Sequence, residues 1–147
     1  MLKITHQDKM ETIQNIQEEL QNILSPKRYI HSIGVMKMAQ KLAKHYCLDE
    51  QTAALTGLVH DIAKELTKEQ SMEYIQQNDI EIDQIEKYNH KLLHAKIGAH
   101  MAKQKYQFNE SMEKAIRYHT TASVHMDKLA KIIYIADKIE ENRNYDQ

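Results

Sequence analysis

Apolar residues recur at helical spacing along almost the entire chain, and few residues interrupt that pattern. Among the 147 residues there are only three glycines and one proline. Apolar side chains at i, i+3, i+4 and i+7 form one face of an amphipathic helix, and glycine and proline are its usual breakers. The sequence therefore predicts an all-α fold. A chain of this length buries roughly 70% of its unfolded surface as one domain, and we interpret residues 1–147 as a single domain.

Capping residues indicate where most of the helices begin. Ser25 precedes the only proline, and proline suits the first position of a helix. A capping side chain ahead of an apolar run recurs at Asp49, Thr67 (with Gln70 as a capping box), Asn109 and Asp127. The segment 79–89 has no clear pattern. The run from Ile132 to Ile135 would also suit a strand, but its apolar spacing continues at the helical period.

Titratable side chains lie on, or at the end of, the apolar faces of five predicted helical segments. They are His31, His60, Asp61, His94, His119 and Asp137. A helix bundle brings such faces together, and imidazole with carboxylate suits iron, manganese or zinc. A single histidine on an apolar face is more often an ordinary core residue. A buried aspartate such as Asp137 needs a cation, which a metal or Lys64 could supply.

Composition excludes several classes of function. A formal net charge of -1 gives no general argument for a nucleic-acid or membrane partner. The only cysteine, Cys47, excludes an internal disulfide and fits a reducing compartment. No apolar run approaches membrane-spanning length, and the first ten residues lack the apolar segment of a secretory signal. We therefore expect a cytoplasmic protein with neither a nucleic-acid nor a membrane partner. The remaining histidines are interpreted as surface or packing residues: His6, His45, His90, His100 and His125.

Five segments carry a resemblance to a known family. The order of His31, the His60-Asp61 pair and Asp137, all on helices, resembles the HD-domain superfamily of metal-dependent phosphohydrolases. Longer blocks narrow the resemblance to the bacterial YqeK family: residues 28–32 (RYIHS), 58–64 (LVHDIAK), 92–94 (LLH), 117–121 (RYHTT) and 134–143 (YIADKIEENR). The fold that this resemblance implies is an HD-domain helical bundle. Ala122 departs from the family pattern, in which a glycine is usual there, and the C-terminal helical extension usual in the family is predicted to be absent.

The resemblance implies symmetrical hydrolysis of bis(5'-nucleosyl) tetraphosphates, with diadenosine tetraphosphate split into two ADP. The implied metal ligands are His31, His60, Asp61 and Asp137. Iron is the implied metal, in a mononuclear or dinuclear centre, with manganese or zinc as alternatives. The implied substrate contacts are His31, Lys64, His94, His119, Thr120, Asp137 and Arg143. Alternatively, His94 and His119 would be ligands of a second metal ion. Whether the protein forms a homodimer is left open.

The catalytic roles we expect fall on four residues: Asp61, Lys64, His94 and His119. Lys64 would offset charge on the phosphate oxygens, Asp61 would orient the attacking water or bridge two metals, and either histidine would protonate the departing oxygen. Two alternatives stay open. The chain could be another HD-domain phosphohydrolase acting on a different nucleotide, or a nucleotide-binding helical module without turnover.

Overall fold

The computed structural model describes residues 6–140 and 142, with side chains described from residue 12 onward. This part of the chain forms eight α-helices and no strand, which confirms the predicted all-α fold. The helices are α1 (His6–Ile23), α2 (Pro26–His45), α3 (Glu50–Val59), α4 (Lys68–Gln77), α5 (Gln84–Tyr88), α6 (His90–Tyr106), α7 (Glu110–Arg117) and α8 (Lys128–Ile139). None of these helices combines the length and apolar character needed to cross a bilayer, as far as the described residues go.

Side-chain caps begin the helices where the sequence indicates. The Ser25 hydroxyl accepts the backbone N–H of Arg28, and Pro26 is the first residue of α2. Thr67 and Gln70 form a complete capping box at α4. The aspartate or asparagine predicted as a cap precedes three further helices: Asp49 for α3, Asn109 for α7 and Asp127 for α8. Each cap satisfies a backbone donor that the first turn of a helix leaves unpaired.

Two segments differ from the helical pattern of the sequence. The segment 79–89 contains the short helix α5, which begins with a capping box between Asp83 and Glu86. Helix α7 ends at Arg117, so that His119 lies in the turn that follows rather than on the helix. The prediction that His119 continues the apolar face of that helix is therefore wrong in its local structure, although the side chain is buried.

The main core joins the elements that later supply the site. Helix α2 packs against α3 and α8, and α7 packs against α6 and α8. Their facing side chains include fully buried Val35, Leu58, Ile116 and Ile133. A smaller apolar cluster lies between α4 and α6. Because α2, α3, α7 and α8 are neighbours, polar residues at their inner ends lie close together.

Close packing of α2 on α3 depends on Gly57. A Cβ atom added to this residue would lie 3.0 Å from the carbonyl oxygen of Val35, closer than side chains normally approach backbone. Gly98 on α6 is different, since the nearest atom to an added Cβ would be 3.6 Å away, at Ile116. The backbone approach that fixes α3, and with it the turn that follows, is therefore specific to position 57.

Candidate metal centre and adjoining cleft

Four side chains that the sequence singled out meet in the interior. His31 lies on α2, His60 and Asp61 follow directly after α3, and Asp137 lies in the last turn of α8. One nitrogen or oxygen atom of each residue lies within 4.8 Å of one such atom of all the others. All four residues are buried, with His60 only 1% exposed.

Within this cluster, carboxylate oxygens face imidazole Nε2 atoms. Asp137 Oδ1 lies 2.8 Å from His31 Nε2 and 3.3 Å from His60 Nε2. Asp61 Oδ2 lies 3.3 Å from His60 Nε2 and 3.6 Å from His31 Nε2. The other oxygen, Asp61 Oδ1, is 3.3 Å from His119 Nε2. His119 therefore joins the cluster from the turn after α7.

The opposite ring nitrogens of these imidazoles already have partners. His60 Nδ1 and His119 Nδ1 each donate to the backbone carbonyl three residues earlier, both at 2.6 Å. His31 Nδ1 lies 3.2 Å from Glu140 Oε1, and this carboxylate can only accept. A neutral imidazole carries a proton on one nitrogen only. Each of these rings, when neutral, therefore presents an Nε2 lone pair to the cluster.

Lone pairs that face carboxylate oxygens need a positive charge between them. Burial alone lowers the pKa of His60, but the carboxylates of Asp61 and Asp137 outweigh it and raise that pKa to about 10. Burial raises the pKa of Asp61, but His60 and His119 together bring it well below the usual range. The same competition, with His31 and His60 as partners, lowers the pKa of Asp137. A bound proton or a bound metal ion can meet this demand.

The spacing of the donor atoms suits a divalent metal ion. Metal bonds to histidine nitrogen and carboxylate oxygen are about 2.0–2.2 Å long, so neighbouring ligand atoms lie about 3 Å apart. The separations of 2.8–3.6 Å match that spacing. An Nδ1–H that donates to a carbonyl is also the usual outer-shell partner of a metal-binding histidine. The two histidines and two aspartates therefore fit a metal centre.

A small cleft adjoins the cluster on the side of Asp61. Its lining consists of His60, Asp61, Lys64, Lys91, His94, His119 and Thr120. Within the part of the chain that the structure describes, two buried atoms of this lining have no hydrogen-bond partner: His94 Nδ1 and Thr120 Oγ1. Buried polar atoms of native proteins are nearly always satisfied, by water or a ligand where protein offers nothing. The cleft thus brings together four residues predicted to contact substrate: Lys64, His94, His119 and Thr120.

His94 lies at the edge of the site rather than among the four clustered residues. Its Nε2 donates to the carbonyl oxygen of Leu66 at 3.1 Å, which leaves Nδ1 as an acceptor. Burial, with a further contribution from the neighbouring His90, lowers the pKa of His94 to about 4. A neutral His94 can accept a hydrogen bond or bind a metal ion through Nδ1. It cannot donate from that atom to a phosphate oxygen.

Two charged residues of the site were missed by the sequence analysis. Arg28 donates to Asp61 Oδ2 at 3.0 Å and is a cation that the sequence analysis did not assign to the site. Glu140 is buried against His31. Each lies three positions from a predicted ligand, Arg28 before His31 and Glu140 after Asp137. That i, i+3 spacing places side chains on one helical face and was the available signal.

The remaining predicted residues lie elsewhere. Arg143 and the side chain of His6 fall outside the described residues. His45, His90 and His125 are exposed, and His100 Nδ1 lies 2.8 Å from the hydroxyl of Tyr74. The interpretation of these four histidines as surface or packing residues is confirmed.

An all-α bundle with a buried His-Asp pair, completed by a histidine before it and an aspartate after it, defines an HD domain. The family model described as "HD domain" matches residues 28–142, and the chain belongs to that family. A solved structure from Clostridium acetobutylicum, described as an HD superfamily hydrolase involved in NAD metabolism, has the same fold. It is 41% identical, with a TM-score of 0.84 over 90% of this chain and 70% of that one.

The resemblance to the YqeK family is also confirmed by curated relatives. A protein of Halalkalibacterium halodurans is 41% identical over 83% of this chain, and one of Bacillus subtilis is 36% identical over the same share. Both are named "Bis(5'-nucleosyl)-tetraphosphatase, symmetrical". The chain spans 65% of the length of the first and 66% of the length of the second.

Proposed function

We propose that this chain is a metal-dependent hydrolase that cleaves diadenosine tetraphosphate symmetrically into two ADP. The observation that carries the proposal is the buried cluster of imidazole Nε2 atoms and carboxylate oxygens, spaced as metal ligands and open to a cleft with two lysines. The names of the relatives supply the substrate class. The HD family supplies the class of reaction.

In this proposal His31, His60, Asp61 and Asp137 hold the metal, and iron is the metal we propose, with manganese or zinc as alternatives. The bound metal would supply a coordinated water of lowered pKa and would neutralise phosphate charge. Asp61 has a second role. Its two oxygens face different groups of imidazoles, His31 with His60 on one side and His119 on the other. If a second metal ion binds, Asp61 and His119 would help to hold it, with His94 as a further candidate ligand, and His119 would then not be available as an acid.

The phosphate groups of the substrate need positive charge and donors outside the metal centre. Lys64 lines the cleft and provides a cation, and the unpartnered Thr120 hydroxyl can donate to a phosphate oxygen. We also assign Arg143 to this role, on the resemblance alone. Arg28 holds one oxygen of Asp61 and so keeps this carboxylate oriented for the attacking water.

Departure of the product makes little demand for a general acid. A terminal phosphate has a second pKa near 6, so ADP leaves as a stable anion near neutral pH. His94 is poorly suited to protonate it, since its pKa is lowered to about 4 and its only N–H is held by Leu66. The Nδ1–H of His119 is likewise held, by the carbonyl of Ile116, so His119 would donate from Nε2 only in its protonated form. In that form it is the histidine that we retain for this role. Cytoplasmic location and homodimer formation stay predictions.

The reaction adds one water across the central P–O–P bridge, and this defines the test. We expect the protein loaded with Fe²⁺ or Mn²⁺ to convert diadenosine tetraphosphate to ADP as the only nucleotide product. In ¹⁸O-labelled water, half of the ADP should carry one label on its terminal phosphate. Release of ATP with AMP would contradict symmetrical cleavage. Activity restricted to a different nucleotide would favour another HD phosphohydrolase.

A matched pair of histidine variants controls this assay. His60→Ala removes a residue of the cluster and should abolish both metal binding and turnover. His125→Ala changes an exposed histidine and should leave both unchanged. A His60→Ala protein that keeps full activity would place the chemistry elsewhere in the molecule.

A further inference from the structure

Glu140 is a buried carboxylate at the end of α8, and its side chain is 0% exposed. Its two oxygens have different partners. Oε1 lies 3.2 Å from His31 Nδ1, and Oε2 accepts the backbone N–H of Asn142 at 2.8 Å. Taking a carboxylate out of water is costly unless both oxygens find donors. Glu140 therefore holds two donors at once, one of them on a residue of the metal cluster.

Helix α2 provides the space for this carboxylate through Gly34. A Cβ atom added at Gly34 would lie 2.8 Å from Glu140 Cδ and closer still to Oε2, and both positions are too close for real atoms. Glycine in a helix interior is less favourable than alanine, because it loses more conformational freedom on folding. No turn or positive φ requires a glycine here. The space that it leaves is filled by the Glu140 carboxylate.

We infer that Glu140 is a positioning residue for the metal centre, acting through His31. By accepting the Nδ1 proton, it selects the tautomer of His31 whose Nε2 lone pair points at Asp61 and Asp137, and it holds the ring in that orientation. A carboxylate behind a ligating histidine also makes the histidine a better donor to the metal. The inference rests on the proposed metal site and adds a residue and a packing partner that the sequence analysis did not assign.

Glutamine cannot replace this carboxylate, although it has the same shape. Its amide has one acceptor oxygen and one donor nitrogen, whereas His31 Nδ1–H and Asn142 N–H are both donors. If the amide oxygen accepts from Asn142, the amide N–H₂ faces His31 and favours the tautomer with the proton on Nε2. If the oxygen turns to His31, the backbone N–H of Asn142 loses its partner.

The test compares the affinity of the purified variants for Mn²⁺, measured from the free ion by electron paramagnetic resonance. Outer-shell partners of metal ligands contribute about 10–100-fold in metal affinity. We expect Glu140→Gln to weaken Mn²⁺ binding by that factor, while Glu69→Gln, an exposed glutamate on α4, leaves it unchanged. Gly34→Ala should act like Glu140→Gln, because the added methyl group displaces the carboxylate without altering its chemistry.

A double variant separates positioning from packing. Glu140→Ala leaves a space next to Gly34, and adding Gly34→Ala should fill it and recover thermal stability, by about 2–4 °C. Metal affinity should stay low in the double variant, since no carboxylate faces His31. Recovery of wild-type Mn²⁺ affinity in the double variant, or unchanged affinity in Glu140→Gln, would overturn the inference. If the wild-type protein binds neither Mn²⁺ nor Fe²⁺, the proposed metal site itself is wrong.

Discussion

At the scale of single residues, Ala122 stands out because its backbone adopts φ 59 in the turn that carries His119 and Thr120. The left-handed region costs an L-residue roughly 1–2 kcal/mol, and glycine avoids that cost. A glycine is also what the family pattern usually has at this position. Ala122 therefore strains a turn that holds two residues of the proposed site, and its backbone N–H still donates to the carbonyl of Tyr118 at 2.9 Å.

We expect Ala122→Gly to stabilise the protein by about 1 kcal/mol. The free energy gained by relieving the backbone strain should exceed the entropic cost that comes from the greater flexibility of glycine in the unfolded chain. That change should raise the melting temperature by about 2–4 °C for a domain of this size. Ala102→Gly, in the interior of α6, is the control of opposite sign and should lower stability. Equal losses at both positions would contradict a strained turn at Ala122.

The four residues that cluster in the interior could be predicted from the sequence, whereas Arg28 and Glu140 had only a weak signal, their i, i+3 spacing from His31 and Asp137. A buried aspartate on an apolar face, as at Asp137, has few physical explanations, and a cation is the simplest of them. Arg28 and Glu140 lie near helix ends, where charged residues are normally solvated. Only the folded arrangement decides which of many such side chains turns inward. For Glu140 it depends on Gly34, more than one hundred residues away in sequence.

At the scale of helices, the contact between α2 and α3 controls where the His60-Asp61 turn lies. Gly57 allows the backbone of α3 to approach Val35 on α2, and the carbonyl of Gly57 accepts the Nδ1 proton of His60. One residue therefore sets both the distance between two helices and the tautomer of a proposed ligand. Small changes in this contact should reach the site directly.

Gly57→Ala should destabilise the protein by about 1–3 kcal/mol, the usual cost of overpacking a well-packed core. It should also weaken metal binding, because a shift of α3 moves His60. Gly98→Ala is the matched control: its added methyl group meets only ordinary contacts of 3.6 Å or more, and alanine is the better helix former. We expect Gly98→Ala to be neutral or stabilising in chemical denaturation. A Gly57→Ala protein as stable as Gly98→Ala would show that the helices do not need this close approach.

Helix boundaries could be predicted wherever a capping side chain precedes a long apolar period, as at Thr67 and Asp127. The short helix α5 was not predicted because five residues are too few to show a helical spacing of apolar side chains. Asp83 and Glu86 nevertheless have the spacing of a capping box. His119 was assigned to a helix because it lies three residues after Ile116, as on a helical face. The same spacing occurs in a tight turn, and apolar periodicity alone cannot distinguish the two structures.

At the scale of the whole molecule, the site makes stability depend on pH in two directions when no metal is bound. The pKa of His60 is raised from 6.5 to about 10, so its contribution to stability is complete below pH 6.5 and is lost as the pH rises through 10. The pKa of His94 is lowered to about 4, so the unfolded chain alone binds a proton there between pH 6.5 and 4. Stability therefore falls on that acidic side as well.

The lowered pKa values of Asp61 and Asp137 add a further loss in acid, below about pH 4, where the unfolded carboxyls take up protons first. The metal-free protein should consequently be most stable near pH 6.5. A bound metal replaces the proton on His60, so the stabilisation by metal should increase as the pH rises from 6.5 to 9.

Melting temperatures of the metal-free and Mn²⁺-loaded protein between pH 4.5 and 9 test this dependence. We expect the metal-free curve to pass through a maximum near pH 6.5 and the difference between the two curves to widen toward pH 9. His94→Gln should flatten the acidic side of the metal-free curve and leave the alkaline side unchanged. The loss of stability toward acid arises from His94, whereas the loss toward alkaline pH arises from His60. A metal-free protein whose stability rises steadily up to pH 9 would mean that His60 carries no proton in the folded state.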